Sequence, residues 1–360
     1  MTSNIIPTLT PIQKNKILEI IKNEIKQWLE FTDDRFTIKD CSKGYDNNVY
    51  IVNTDAIDSE RVVLRIPRLL EDEDCPPMHT PRMQAAILKV LGDHGLPVAK
   101  LLAVEDSYLL ETYIEQCDLS EFYRSTLDIP DTVGQHIFSQ VGTVLRGIHQ
   151  IETGGRYGYL QTLDLRGDRD HWHQFFSDIP SQIESCKENQ LYRLKLIDDY
   201  TNNEDLSRYL QQYYQNSIDL LKELEEQNNY IRPRLIHADL CSNNIRVRGK
   251  KSNNNNNNNS NAELELELVG IIDFADCLAG DGLYDIGRIL SHCYCNWKFI
   301  EAIGSTYTES GKFSSLQIKL IHFYAFSFCI WLLDSSLDDD NDIIKYNTIL
   351  NNLLKLIKSN

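Results

Sequence analysis

The stretch Leu235-Ile236-His237-Ala238-Asp239-Leu240-Cys241-Ser242-Asn243-Asn244 decides the fold once a second is read beside it. That second stretch is Gly270-Ile271-Ile272-Asp273-Phe274-Ala275-Asp276, running on to Gly280-Asp281-Gly282-Leu283-Tyr284-Asp285. In the first, an apolar strand (Leu235, Ile236) feeds a loop that presents Asp239. Asn244 follows five residues later and opens another apolar stretch. In the second, the apolar run Val269 to Ile272 delivers Asp273 at its end. Three oxygen-bearing side chains are therefore expected on strand ends facing one point. Hard donors of this kind suit Mg²⁺, which takes one or two carboxylates together with substrate phosphates. They suit zinc poorly, because no His or Cys set accompanies them.

Working outward, the order of these groups matches a phosphoryl-transfer template: a catalytic Asp, an Asn five residues on, then an Asp-Phe-Gly whose Asp holds metal. Asp239, Asn244 and Asp273-Phe274 follow that order. Ala275 stands in the Gly position, and Ala238 stands where a generic kinase has Arg. His-x-Asp-x-x-x-x-Asn followed by Ile-Asp-Phe-x-Asp-x-x-x-Gly-Asp-x-x-Tyr-Asp resembles the aminoglycoside phosphotransferase superfamily, protein-kinase-like enzymes that phosphorylate small molecules. By pattern order the resemblance covers roughly residues 35 to 335.

Other segments fit the resemblance in order. Gly44-Tyr45-Asp46-Asn47-Asn48-Val49-Tyr50 looks like the family's phosphate-covering loop, which implies nucleotide contacts from Gly44 and Asn47. Val63-Leu64-Arg65-Ile66-Pro67 looks like its third strand, with Arg65 as the base for the α- and β-phosphates. Leu109-Leu110-Glu111-Thr112-Tyr113-Ile114 resembles the hinge, where Thr112 to Ile114 would hold adenine through backbone groups. Val141-Gly142-x-x-Leu145-x-x-x-His149 resembles the helix before the substrate region. The helix of the N-terminal part normally offers a Glu to the third-strand base. Gln84 is the nearest position here, and an amide forms a hydrogen bond but no ion pair.

The resemblance implies an α+β, bilobal protein-kinase-like fold with a small β-rich N-lobe and a larger, mostly helical C-lobe. Hydrophobic patterning predicts the same division. A helix over 12–30 forms an N-terminal extension within 1–34, and strands with one inserted helix (81–94) fill 35–115. Helices over 135–150, 206–228, 312–333 and 343–358 dominate 116–360, with strands near Leu235, Ile245 and Leu264 to Phe274. Seven consecutive asparagines, Asn253 to Asn259, form the centre of a loop insert over 250–262. Such a polar tract buries no apolar surface and reads as an expanded hairpin loop.

Charge and composition exclude other classes. A net charge of −17 argues against a general nucleic-acid binder and against docking on anionic lipid. The longest nearly apolar run, Phe323 to Leu333, is 11 residues and reads as a buried helix rather than a membrane span. Nine scattered cysteines without a CxxC pair read as reduced thiols of a cytoplasmic protein.

The expected activity is ATP-dependent phosphorylation of a hydroxyl group on a small molecule, with ATP and Mg²⁺ as cofactors and no nucleic-acid or membrane partner. Asp239 is the expected catalytic base, Asn244 and Asp273 the metal ligands, and His237 and Asp285 the structural support. Asp281 and Asp276 are expected to cap the following helix rather than touch substrate, Asp being a preferred N-cap. The alternatives are a nucleotide-binding pseudokinase or scaffold, and then a protein kinase. Against the last, only six residues separate Phe274 from Asp281, too few for an activation loop. His171-Trp172-His173 offers two histidines without a third ligand in the sequence nearby and is read as incidental, its aromatic neighbours packing a helical segment.

Overall fold

Strand pleat and helix period together account for the first part of the chain. The computed structural model describes residues 10–25, 32, 35–41, 47–54, 61–68, 76–197, 200–227, 230–251, 264–337 and 339–359. Gly44, the acidic residues 71–74, Trp28, Leu29 and the asparagine run 253–259 lie outside the described residues. The chain divides into two units. Unit 1 comprises Met1–Glu115, Gln161–Leu163 and Gly270–Ala275; unit 2 comprises Gln116–Leu160, Asp164–Val269 and Asp276–Asn360.

Unit 1 contains α1 (Pro11–Glu24), β1 (Phe36–Asp40), β2 (Asn47–Thr54), β3 (Arg61–Pro67), α2 (Pro81–Asp93), β4 (Leu101–Glu105) and β5 (Tyr108–Thr112). The five strands form one antiparallel sheet in the order β1-β2-β3-β5-β4. Thr10 and Gln13 cap α1 reciprocally, and Pro11 fits its first turn, where no N–H is needed. Ile17, Leu18 and Ile21 of α1 pack with Phe36, Tyr50, Val52, Val62, Leu64 and Leu110. Because side chains alternate along a strand, Val63 and Arg65 leave by the other face of β3, and α2 packs against β3, β4 and β5.

Unit 2 contains β6 (Cys117–Asp118), α3 (Leu119–Phe122), α4 (Asp131–Ile148), β7 (Tyr157–Leu160), β8 (Gly167–Arg169), α5 (Ile179–Glu188), α6 (Asn203–Glu226), β9 (Arg234–Ile236) and β10 (Ile245–Lys251). It continues with β11 (Leu264–Ile271), whose last two residues belong to unit 1, then β12 (Leu278–Gly280), α7 (Leu283–His292), α8 (Trp297–Tyr307), α9 (Ser315–Asp334) and α10 (Asp340–Ser359). Two small sheets have the orders β11-β10-β6 and β8-β7-β12-β9. In the second, Leu278 pairs with Ile236 and Gly280 with Arg234, so the loop leaving β9 lies beside the start of β12.

Gly142 lets α4 lie directly on α8: a Cβ there would stand 2.5 Å from the Ile303 carbonyl oxygen. Helix α9 is apolar nearly all round and packs against α5, α7 and α10. By length and composition alone it could cross a membrane, yet 67% of its apolar window is buried inside the structure. The described cysteines, eight of the nine, carry free thiols.

Candidate active site

Asp285, on the first turn of α7, organises the loop that leaves β9. Its side chain is fully buried. Oδ2 accepts from His237 N (2.8 Å) and Oδ1 from Ala238 N (2.7 Å). His149, the C-terminal cap of α4, brings Nε2 to 3.0 Å from Oδ2, while its Nδ1 lies 2.9 Å from the Tyr307 hydroxyl. Burial pushes a carboxyl pKa up. Here the bonds and charges from His149 and His237 outweigh burial and hold Asp285 below the ordinary value. The two N–H bonds also stabilise Ala238 at φ +60°, a left-handed conformation unfavourable for an L side chain. Gly282 makes room for this arrangement, because a Cβ there would meet His149 Nδ1 at 2.4 Å.

Asp239 is thereby presented from a fixed backbone. Its N–H donates to His237 Nδ1 (3.2 Å). Asn244 is buried, and its Nδ2 donates to the Asp239 carbonyl (2.8 Å) and to Oδ2 (3.2 Å). Arg288 Nη2 donates to Oδ1 (3.0 Å). The Asp239 side chain remains 32% exposed, so the carboxylate is oriented and still reachable. His237, Asp239, Asn244 and Asp285 are thus brought together, with Asp285 gripping backbone N–H groups of the loop.

In unit 1, Asp273 follows the end of β11 and has φ +69°. Its Oδ1 accepts from Arg65 Nη1 at 3.1 Å. Arg65 Nε donates to Glu111 Oε1 at 2.8 Å, with the Glu111 side chain buried and that of Arg65 12% exposed. Burial opposes the guanidinium charge, but Glu111 and Asp273 outweigh it and raise its pKa above the ordinary value. The expected partner, Gln84, is corrected here: its Nε2 donates to the His79 carbonyl (3.3 Å). Glu111 takes its place because β5 pairs with β3, and the pleat sets Glu111 opposite Val63 on the face that Arg65 shares. Arg65, Gln84, Ala99, Glu111, Asp273 and Phe274 line one cavity.

The remaining nucleotide candidates are spread along the same sheet. Asn47 is buried opposite Pro67, and its Oδ1 has no hydrogen-bond partner among the described residues. Thr112 spends its N–H on the Lys100 carbonyl and its hydroxyl on the Lys100 N–H, both at 2.9 Å. Tyr113 N donates to the Arg61 carbonyl, and Ile114 is half-buried just beyond β5. Asp281 supports the helix start: Oδ1 accepts from Leu283 N (3.1 Å) and Oδ2 from the Tyr324 hydroxyl (2.8 Å), while burial raises its pKa.

Asn244 in unit 2 and Asp273 in unit 1 each offer oxygen. Asn244 commits its amide nitrogen to Asp239, leaving its carbonyl oxygen as a donor, and this chemistry fits a hard divalent cation. Three residues were missed in the sequence. Glu111 stands inside the quoted hinge, His149 inside the quoted helix motif, and Arg288 one helical turn beyond Asp285, the last residue of the second motif.

Residues 37–309 match the phosphotransferase enzyme family. No curated protein matches the sequence. Among solved structures, the chain is similar to a thermostable mutant of aminoglycoside phosphotransferase APH(4)-Ia in ternary complex with AMP-PNP and hygromycin B, at 16% identity and a TM-score of 0.54. That alignment covers 94% of this chain and 98% of the other. It is also similar to wild-type aminoglycoside 2'-phosphotransferase-IIIa in complex with GDP, at 14% identity and a TM-score of 0.54 over 94% and 99% of the two chains. A third is the streptomycin-ATP-APH(2")-IIa ternary complex, at 16% identity and a TM-score of 0.51 over 94% and 95%. These likenesses show the fold, a β-rich N-terminal part followed by a helical C-terminal part.

Proposed function

The chain belongs to the phosphotransferase enzyme family, and we propose that it transfers the γ-phosphoryl group of ATP to a hydroxyl group of a small molecule. Asp239 carries the proposal. Its loop is clamped by a buried carboxylate, and its own carboxylate stays reachable. In that role Asp239 orients the acceptor hydroxyl and takes its proton as the phosphoryl group moves in line. Arg65 holds the α- and β-phosphates, and Asn47, with Gly44, covers them. Backbone groups at Thr112 to Ile114 hold adenine. Asn244 and Asp273 would each offer an oxygen to Mg²⁺, which would supply positive charge against the phosphates. His237 and Asp285 act only through the loop.

One observation favours a second reading, a nucleotide-binding protein without transfer. Asp239 and Asp273 each accept a hydrogen bond from an arginine, which competes for lone pairs that substrate and metal would use.

Phosphotransfer from labelled ATP, and separately GTP, to a panel of aminoglycosides, amino sugars and amino alcohols tests both. The GTP arm is motivated by the GDP complex among the similar structures. Asp239→Asn should abolish transfer while leaving nucleotide binding and the circular dichroism spectrum unchanged. Transfer by Asp239→Asn at the wild-type rate would remove Asp239 from the chemistry. Nucleotide binding without transfer to any acceptor would support the second reading.

A further inference from the structure

The two histidines read as incidental in the sequence have a third ligand in the structure. His171 is extended (φ −133°, ψ 141°) and is followed by a 3-10 turn over Trp172–Phe176. In a 3-10 turn side chains three apart eclipse, which sets Phe175 over Trp172. Trp172 is fully buried, stacks on Phe175 (ring centroids 5.0 Å apart) and donates its Nε1–H to the Tyr324 hydroxyl (3.1 Å). That anchor leaves His171 and His173 side by side, their rings stacked at 5.2 Å and 25°.

Both rings aim Nδ1 at one oxygen of Glu225, on the last turn of α6. The distances to Oε2 are 3.2 Å from His171 and 3.0 Å from His173. The other carboxylate oxygen, Oε1, accepts from the His173 backbone N–H at 2.7 Å, which fixes the carboxylate plane. The Glu225 side chain is only 4% exposed. The three ligand atoms lie within 4.8 Å of one another.

We propose that His171, His173 and Glu225 form a transition-metal site of the zinc type. Four-coordinate zinc bonds imidazole and carboxylate at about 2.0–2.1 Å, which places neighbouring ligand atoms about 3.3 Å apart. The two oxygen-to-nitrogen separations are already close to that edge. A divalent cation also supplies the counter-charge that a buried carboxylate needs. The His173 N–H holding Oε1 is the kind of outer support that orients a metal ligand. His171 is 56% exposed, so the fourth position opens to water. The ion ties the Trp172 segment to the end of α6. The donors are two nitrogens and one oxygen, a set that suits zinc-type ions rather than Mg²⁺.

The test uses the full chain, freed of metal with a chelator, then titrated with Zn²⁺ by calorimetry and with Co²⁺ by visible absorption. The expected result is one Zn²⁺ per chain and a tetrahedral-type Co²⁺ spectrum without thiolate charge-transfer absorption. His171→Ala, at an exposed position, should keep the fold and weaken Zn²⁺ binding by at least about 10-fold. Glu225→Gln, which keeps the side-chain shape, should do the same. Millimolar Mg²⁺ should not compete. Absence of Zn²⁺ and Co²⁺ binding would overturn the proposal, as would unchanged affinity in both folded variants. A thiolate-type Co²⁺ spectrum would also overturn it and place the ion on cysteines.

Discussion

Arg288 and Asp239 are joined by an ion pair, Nη2 to Oδ1 at 3.0 Å, although 49 residues separate them. Arg288 is held from behind, its guanidinium lying 3.8 Å over the Phe328 ring. Burial opposes its charge, but Tyr284 and Asp239 outweigh that and raise its pKa. One helical turn earlier, Asp285 binds the N–H groups of His237 and Ala238. One face of α7 therefore fixes both the backbone of the Asp239 loop and the carboxylate itself.

Arg288 is on these grounds a positioning residue. Arg288→Met should keep the aromatic contact, release the carboxylate and lower kcat by roughly 10- to 100-fold with little change in nucleotide KM. Arg288→Lys should recover only part of the loss, because an ammonium lacks the planar fork that stacks and donates together. Steady-state kinetics on any acceptor found in the panel decides this. A rise in kcat in Arg288→Met would mean that the arginine restrains Asp239 instead.

Glu111 and Gln84 face the same cavity but should behave differently. Glu111→Gln removes the nearest counter-charge of Arg65 and should raise the Kd for Mg²⁺-ATP about 10-fold, or about 1.4 kcal/mol. Gln84→Ala removes a hydrogen bond to the His79 carbonyl and no charge, and should leave that Kd within about 2-fold. Calorimetric titration of both variants separates the two cases. An equal loss would restore Gln84 as a partner of the base.

What the sequence made legible was chemistry that is local along the chain. Asp239 and Asp273 follow apolar runs and Asn244 opens one, so a strand-loop reading reached them. Glu111 was visible as a residue but not as a partner, because that depends on β5 pairing with β3. Glu225 lies 52 residues beyond His173 and meets it only through the packing of α6. The strands Tyr157–Leu160, Gly167–Arg169 and Leu278–Gly280 are short and glycine-containing, and pairing in the sheet, not propensity, makes them strands. Helix α8 lies outside the predicted helices although Phe299, Ile300 and Ile303 carry a helical period.

Asp285 should be a stability residue as much as a functional one. Asp285→Asn keeps one acceptor but turns an amide nitrogen toward a backbone donor. It should destabilise the fold by about 3 kcal/mol, lowering Tm by roughly 5–10 °C. The Asp285 pKa is depressed in the fold. Its contribution is therefore complete above the unfolded value near 3.8 and is lost progressively as pH falls from there through the folded one. Thermal unfolding at pH 7 reads the first effect directly. A Tm equal to wild type would show that the loop holds without the carboxylate.

Acid lability should begin at higher pH and come from two histidines. Burial, with the charges of Arg288 and Lys345, pushes His292 down to about 3, and burial pushes His322 down to about 4. Each Nε2 is buried without a hydrogen-bond partner among the described residues, so the neutral ring is what the fold accepts. In the unfolded chain both take a proton below about pH 6.5. Stability is therefore complete above that value and falls as pH drops toward about 4, by up to about 1.4 kcal/mol per pH unit for each ring. Asp281 acts in the opposite sense, since its raised pKa favours the fold as it takes up a proton. Urea midpoints at pH 7 and pH 5 should differ for the wild type. His322→Phe keeps an aromatic ring against Trp297 and should remove about half of that difference. Equal midpoints at the two pH values in the wild type would show that the buried rings are not what the fold loses in acid.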